Sequence, residues 1–428
     1  MTSFHLAAAV ALATVVVLLF LVLFEPGLPY RVVPPDVPLD SHLFLGLMAA
    51  VVDAQLLGRS RIEILTDGKT FYESELTAIR AARHSIHIEA FVFRPGQIAR
   101  RFLDVLAERA RAGVKVRVVI DAIGSAPMHD GMLDTLRKSG GQVSRYYPIR
   151  WHTLKRFNNR THREIIVVDG AIGFTGGAGI GDWWVNGDGD AHPWRDTMVR
   201  IEGELVGGLQ TSFVENWLEA SGELLCSLED FPYCRADRRE PPAGSVSGLV
   251  VSSTPSAGRA TRARMLFQFL LASARQSIDI CSPYLIPDRS MRQELMRAVR
   301  RGVTVRIITP GDHNNHPTAR WASRHLYGEM LRNGVEIHEY LPSMIHAKIF
   351  IVDGLWSVLG STNFDNRSFG LNDEINLAVL DRDVADRVLE DFGSDLRRCR
   401  RISFQEWARR PALERLLGLI ASVFSRQQ

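Results

Sequence analysis

The chain has 428 residues, 46% of them hydrophobic and 23% charged, with a formal net charge of +3. That is room for two or three globular domains with ordinary cores, and it excludes the strongly basic composition of a dedicated nucleic-acid binder. The four cysteines, Cys226, Cys234, Cys281 and Cys399, form no C-x-x-C pair, so no zinc or other metal site is expected. Cys226 and Cys234 are near enough in sequence for a disulfide in an oxidising compartment, with free thiols the plainer reading.

In chain order, Ala7 to Phe24 is almost wholly apolar and uncharged. A membrane span needs about 20 such residues. No Lys or Arg precedes the run, and Phe24-Glu25-Pro26-Gly27 is not a small-x-small cleavage site, so a retained single anchor (residues 1–25) is expected rather than a cleaved signal. Arg31 is the only basic residue near either end, which leaves the orientation open. Residues 26–60 read as a proline-rich linker, then a membrane-proximal helix over His42 to Leu57.

A first domain is expected over 61–221. Thr70 to Ala82 reads as an amphipathic helix and Ser85 to Phe93 as a strand. Ala99 to Ala112 reads as a helix stopped by Gly113, and Val114 to Asp121 as a buried strand. Residues 222–257, rich in proline and glycine, read as a linker. A second domain, 258–402, repeats the order: helix Thr261 to Arg275, strand Ser277 to Tyr284, helix Met291 to Arg301, Gly302, strand Val303 to Thr309. Ser85 and Ser277, Gly113 and Gly302, and His162 and His346 keep nearly the same spacing, which argues for internal duplication. Alternating helices and strands predict an α/β fold with a mainly parallel, helix-covered sheet in each half, the halves packed face to face. In 403–428, Leu413, Leu416, Leu417, Ile420, Val423 and Phe424 follow a helical period behind a cluster of arginines. That pattern suits an anionic bilayer surface and equally a helix docked on its own domain.

The duplicated landmark carries the chemistry. In the second half His346-Ala347-Lys348 opens an apolar run, Ile349 to Val352, closed by Asp353-Gly354, and Gly360-Ser361-Thr362-Asn363 follows. In the first half His162-Arg163-Glu164 precedes Ile165 to Val168 and Asp169-Gly170, then Gly176-Gly177-Ala178-Gly179. Glu164 stands where the second copy has lysine, and Gly179 where it has asparagine. Two imidazoles on opposite sides of one phosphodiester supply both halves of a metal-free displacement: one attacks phosphorus, the other protonates the leaving alkoxide. Lys348 and Asn363 are placed to stabilise the equatorial oxygens. Asp353 is expected to fix a turn or an imidazole rather than touch substrate.

The string H-x-K-x4-D followed by G-S-x-N resembles the HKD motif of the phospholipase D superfamily. Glu89, Phe91, Gly173-Phe174-Thr175-Gly176-Gly177, Trp194-Arg195-Asp196, Glu215-Asn216-Trp217, Ser282-Pro283-Tyr284 and Asn363 to Phe369, with Asn372 and Glu374, resemble its bacterial cardiolipin synthase branch. The resemblance implies two phospholipase D-like αβα sandwich domains about a pseudo-twofold axis, behind an N-terminal transmembrane helix. It implies a phosphatidyltransferase of the inner membrane, single-pass, working through a phosphohistidine without a cofactor. Phosphatidylglycerol would be donor and acceptor, with phosphatidylethanolamine a second candidate, and no nucleic acid is expected. His162, as nucleophile, His346, as general acid, Lys348, Asp169, Asp353 and Asn363 would form the catalytic set. Ser361, Gly177, Glu374 and Glu164 would line the substrate. Hydrolysis of phospholipids, or a decayed lipid-binding homologue, are the competing readings.

Glu164 is the obstacle. A carboxylate about 4 Å from a phosphate repels it by about 4 kcal/mol at an effective dielectric of about 20. The repulsion vanishes if Glu164 pairs with Lys348, is protonated, or turns away. Lys155, Arg156 and Arg160 are candidate compensating charges.

Overall fold

The computed structural model describes residues 2–23, 30–148, 158–187, 192–231, 244–256 and 260–423. Helices α1 (Thr2–Leu23) and α2 (His42–Val51) lead into the first half. That half contains β1 (Leu56–Thr66), α3 (Gly68–Ala81), β2 (Ser85–Ala90), α4 (Gln97–Arg111), β3 (Lys115–Asp121), α5 (Asp130–Lys138) and β4 (Gln142–Tyr146). It continues with β5 (Arg160–Thr161), β6 (Ile165–Val168), β7 (Ile172–Gly176), α6 (Trp183–Asn186), β8 (Thr197–Glu202) and α7 (Leu205–Ser221). The second half runs β9 (Val246–Ser253), α8 (Arg262–Ser273), β10 (Ser277–Cys281), α9 (Arg289–Arg300), β11 (Thr304–Pro310), α10 (Pro317–Arg332) and β12 (Glu336–Tyr340). It then adds β13 (Ile349–Val352), β14 (Trp356–Gly360), β15 (Asn372–Leu380), α11 (Arg382–Leu396), β16 (Cys399–Ile402), α12 (Phe404–Ala408) and α13 (Ala412–Val423).

The strands form one sheet in the order β16-β12-β11-β10-β13-β14-β15-β9-β1-β8-β7-β6-β2-β3-β4, with β5 paired to β15. The order is mirrored about β9 and β1, so each half repeats the same topology. As expected, the halves pack face to face: Ile165, Val167, Val199 and Ile201 of the first half share one buried core with Ile349, Ile351, Leu359 and Leu377 of the second. They also join edge to edge through the antiparallel β1–β9 ladder. One expectation changes here. The sheet is not mainly parallel: β2-β3-β4, β10-β11-β12 and the short β5–β15 pair run parallel, and the inner strands are antiparallel. The reason is local. Asp169-Gly170 and Asp353-Gly354 all have positive φ (52°, 60°, 55° and 61°), the central pair of a tight turn closed by Ala171 N–H to Val168 O and Leu355 N–H to Val352 O (both 3.0 Å). A tight hairpin can join only antiparallel strands.

Helices cover both faces. Side chains of α2, α8 and α9 pack on one face of the second half-sheet; on the other, α7 and α11 flank the core that it shares with the first half-sheet. Residues 222–257, expected to be a linker, contribute β9, which pairs with both β15 and β1. The expected helix over His42 to Leu57 ends at Val51, because Leu56 and Leu57 enter the ladder with β9. Cys234 lies outside the described residues, and Cys226, Cys281 and Cys399 are free thiols. Among the described residues no helix is long and apolar enough to cross a membrane. The expected anchor, 7–24, lies partly outside those residues, and the described large apolar side chains of α1, such as Leu6, Val10 and Leu12, are exposed.

Candidate active site

The two motif strands, β6 and β13, are each four residues long and fully buried. His162 and His346 stand just before them and Asp169 and Asp353 just after, so roughly 13 Å of strand separates each pair. Asp169 accepts backbone N–H bonds from Arg83 (2.9 Å), His84 (2.7 Å) and Ser85 (2.9 Å). Asp353 accepts the equivalent bonds from Arg275 (2.9 Å), Gln276 (2.8 Å) and Ser277 (2.9 Å). Both aspartates therefore leave the expected catalytic set. They tie each hairpin to the turn between a helix and the next strand, satisfying donors that would otherwise be orphaned.

The imidazoles are oriented by carboxylates from the opposite half. His346 Nδ1 lies 2.9 Å from Asp196 Oδ2, and His162 Nδ1 lies 3.1 Å from Glu374 Oε2. The backbone follows the same exchange: His346 N–H donates to Arg195 O (2.7 Å), and His162 N–H donates to Asp373 O (2.9 Å). An ionised carboxylate only accepts, so each Nδ1 carries the proton and each Nε2 keeps its lone pair. Glu374, expected to line the substrate, is thus the partner of His162. Ser361, also expected there, donates to Glu374 Oε2 and accepts from Ile375 N–H (3.1 Å).

Asp196 was not in the expected site, although its Trp-Arg-Asp string was visible. The available signal was positional: Asp196 precedes β8, and Glu374 lies in the first three residues of the equivalent strand β15. Trp184 Nε1–H (3.0 Å) and Thr197 N–H (2.8 Å) also donate to Asp196. Burial alone would raise its pKa, but the Lys348 charge and the His346 contact bring it below the usual carboxylate value. Trp184 and Trp194 pack their rings against His346, at 5.8 and 5.7 Å between centroids.

Lys348 is buried beside the same ring. Its Nζ lies 2.7 Å from Nδ1 and 3.0 Å from Nε2 of His346, and it donates to the carbonyls of His346 (2.7 Å) and Gly177 (3.3 Å). Burial lowers the Lys348 pKa to about 8, against the pull of Asp196, Glu374 and Glu164. Burial, then the Lys348 charge, with a smaller share from His162, lowers the His346 pKa to about 4 against the pull of Asp196. The two histidines therefore share one electrostatic environment. Gly177 admits no side chain: a Cβ would stand 2.4 Å from Asp196 Oδ1 and 2.9 Å from His346 O. Its role is to let the histidine and its carboxylate close up.

Glu164 is buried, and its Oε1 accepts from the N–H groups of Phe91 (3.2 Å) and Val92 (3.3 Å). Burial pushes its pKa well above the usual carboxylate range, opposed by the Val92 bond and the Lys348 charge. Its space exists because position 179 is glycine; a Cβ there would meet Val92 O at 2.5 Å and Glu164 Oε1 at 2.9 Å. The two departures from the motif are thus one change. Arg160 does not compensate Glu164, since its guanidinium faces Asp121 at 3.6 Å, and Lys155 and Arg156 lie outside the described residues. Asn363 is buried, and its side-chain Oδ1 has no hydrogen-bond partner among the described residues.

Further out, Glu89 accepts from Thr161 Oγ1 and from Asn216 Nδ2 (2.6 Å). Those residues support the turn that carries His162. Arg367 bonds Asn158 through its side-chain and backbone oxygens (2.9 and 2.8 Å).

A family model described as "Cardiolipin synthase, PLD-like domain" matches residues 76–202 and 268–396, one copy in each half. The chain is 33% identical over 335 residues to the cardiolipin synthase of Oceanobacillus iheyensis, covering 78% of this chain and 68% of that one. It is 34% identical over 387 residues to cardiolipin synthase A of Pseudomonas putida, covering 90% of this chain and 79% of that one. The fold is similar to the crystal structure of phosphatidylserine synthase from Haemophilus influenzae, with a TM-score of 0.70 and 14% identity over 90% of this chain and all of that one.

Proposed function

Because this chain belongs to the phospholipase D-like cardiolipin synthase family, we propose that it moves a phosphatidyl group between phospholipids, with phosphatidylglycerol as both donor and acceptor. The observation that carries the reading is the crossed pair of imidazoles, each held by the other half's carboxylate, gathered with Lys348. Nε2 of His162 attacks phosphorus, and the bond from phosphorus to the departing glycerol oxygen breaks. His346, protonated in the substrate complex, gives its proton to that oxygen. The acceptor's hydroxyl then returns a proton to His346 and attacks phosphorus, and the N–P bond breaks. Lys348 and the Asn363 amide serve the non-bridging oxygens. A phosphodiester anion pairs with Lys348 and offsets its repulsion of His346, which after burial is the largest cause of that histidine's lowered pKa, so substrate binding favours the charged acid.

A second order of events, with His346 attacking, draws on one observation: the His346 pKa of about 4 keeps its lone pair free at neutral pH. Acid-quenching a turnover mixture and locating the phosphatidyl-histidine by mass spectrometry assigns the nucleophile to His162 or to His346.

We further assign residues 61–221 and 258–402, the latter completed by strand β9, as the two catalytic domains, and 1–25 as a single-pass inner-membrane anchor. The anchor reading rests on the uncharged run and on the exposed apolar side chains of α1. Incubation with phosphatidylglycerol vesicles, followed by thin-layer separation, tests the reaction. Cardiolipin with glycerol supports transfer, phosphatidic acid would put hydrolysis in its place, and no product would support the decayed reading.

A further inference from the structure

Helix α13 has two apolar sides, and the fold uses one of them. Its inner side is seated on α10. A Cβ at Gly418 would stand 3.1 Å from Trp321 O, so the helices approach closely there. Glu414 Oε1 accepts from Arg324 Nε (2.7 Å). Just ahead of the helix, Arg410 donates to Arg324 O (2.6 Å) and lies 4.1 Å over the Trp407 ring. These contacts hold α13 in one rotation about its axis. In that rotation Leu413, Leu416, Leu419 and Ile420 point outward, each more than half exposed at 66, 53, 55 and 51%. At about 100° per residue the four fall within a stripe roughly 120° wide. Arg415 borders the stripe and Arg409 precedes the helix, both exposed. The acidic residue of α13, Glu414, is spent on Arg324.

The inner side of α13 is linked by packing to the surroundings of the candidate active site. Ala421, on the inner side of α13, packs with Ile286, Ala319 and Ala322. Ile286 N–H donates to Phe364 O (3.1 Å), the residue after Asn363. Tyr284 joins the Ala421 cluster to the one that contains Trp184, Trp194 and Met344. Four large aliphatic side chains on one rigid helix, flanked by arginines, match the chemistry of an anionic phospholipid surface.

We propose that the outer face of α13 lies in the interfacial layer of an anionic phospholipid bilayer, and so sets the mouth of the two-histidine site against the membrane. The proposal builds on the reading of the substrate as a phospholipid. It is distinct from the anchor, which would tether the chain without orienting the catalytic body. Arginine attraction draws the helix to the surface, and burial of the four aliphatic side chains holds it there, about 5–10 Å deep. Headgroups then reach the site without leaving the interface.

The full-length chain, reconstituted in vesicles of phosphatidylcholine with phosphatidylglycerol, provides the test. A fluorophore is placed at Leu416→Cys or Leu419→Cys in a Cys226→Ser, Cys234→Ser background, with Arg382→Cys on α11 as the aqueous control. Nitroxide-labelled lipids should quench the α13 probes and spare the control, and the effect should weaken in pure phosphatidylcholine. Probes that iodide quenches equally with and without vesicles overturn the proposal. Energy transfer between differently labelled copies, independent of lipid, overturns it in favour of a second copy of this chain. This readout needs no turnover, so it stands apart from the outcome of the activity assay. In parallel, Leu416→Asp with Leu419→Asp should raise KM for vesicle substrate by about tenfold, the equivalent of about 1.4 kcal/mol. Its kcat on a short-chain, water-soluble phosphatidylglycerol should stay unchanged. An unaltered KM on vesicles would also overturn the proposal.

Discussion

The two half-sites share a scaffold and differ where a ligand would be met. Each half has the same Asp-Gly hairpin, the same three backbone donors on the aspartate, and the same exchange of imidazole and carboxylate with its partner. Beyond that point they diverge. The second half offers Lys348 and Asn363, whose Oδ1 has no partner among the described residues, while the first offers Glu164 folded back onto Phe91 and Val92 over Gly179. A turn that must be antiparallel and a buried histidine that must be held leave little freedom. A phosphate needs one well-placed cation, and in the proposed reaction Lys348, beside the His346 ring, serves as that cation. The first half could therefore surrender its lysine, provided that what replaced it carried no charge toward the ligand.

The most severe break of this comparison is at the shared parts. His162→Ala and His346→Ala should each lower phosphatidyl transfer by about 10⁴-fold or more, since each removes a proton-transfer or nucleophilic partner. An activity loss confined to one of the two would end the symmetric account. Next in size is the unshared cation: Lys348→Met should cost about 10²–10³-fold in kcat/KM. Glu164→Gln should stay within a few fold of wild type, because the neutral amide oxygen can still accept from Phe91 and Val92. A loss at Glu164→Gln as large as at Lys348→Met would show that the first half works through a charged carboxylate.

Gly179→Ala and Asn363→Ala separate packing from ligand contact. The first places a methyl 2.5 Å from a backbone carbonyl and should destabilise the fold by about 1–3 kcal/mol. The second should leave the melting temperature nearly unchanged and lower activity. Equal melting losses in both would break the assignment of Asn363 to the ligand.

The smallest effects are in pH. Activity should fall as pH rises past about 8, where Lys348 loses its proton, and Lys348→Arg should move that limb upward. For stability the signs in the two halves oppose. The His346 pKa is lowered from 6.5 to about 4, so the unfolded chain binds the proton more readily, and stability falls as pH drops through that window. Glu164 is raised, so its unfolded form ionises first, and stability falls as pH climbs above about 4.5. Glu164→Gln should therefore raise the melting temperature at pH 8 relative to wild type and leave it unchanged at pH 4. Melting curves across that range test both signs.

Much of this molecule was legible in the chain itself. The paired histidine motifs, the duplication, the helix-strand alternation and the turn role of Asp353 all come from short-range signals: period, spacing and residues suited to positive φ. Those signals are local because backbone preferences are local. The tertiary structure decided what lies between distant segments. It supplied Asp196 as the partner of His346 and moved Glu374 from the ligand to His162. It joined the halves through β1 and β9 and folded Glu164 onto the end of β2. It also turned one apolar side of α13 outward. Each of those outcomes is a contact between residues far apart in sequence, set by which surfaces meet when two repeats close on each other, and no window of neighbouring residues records that.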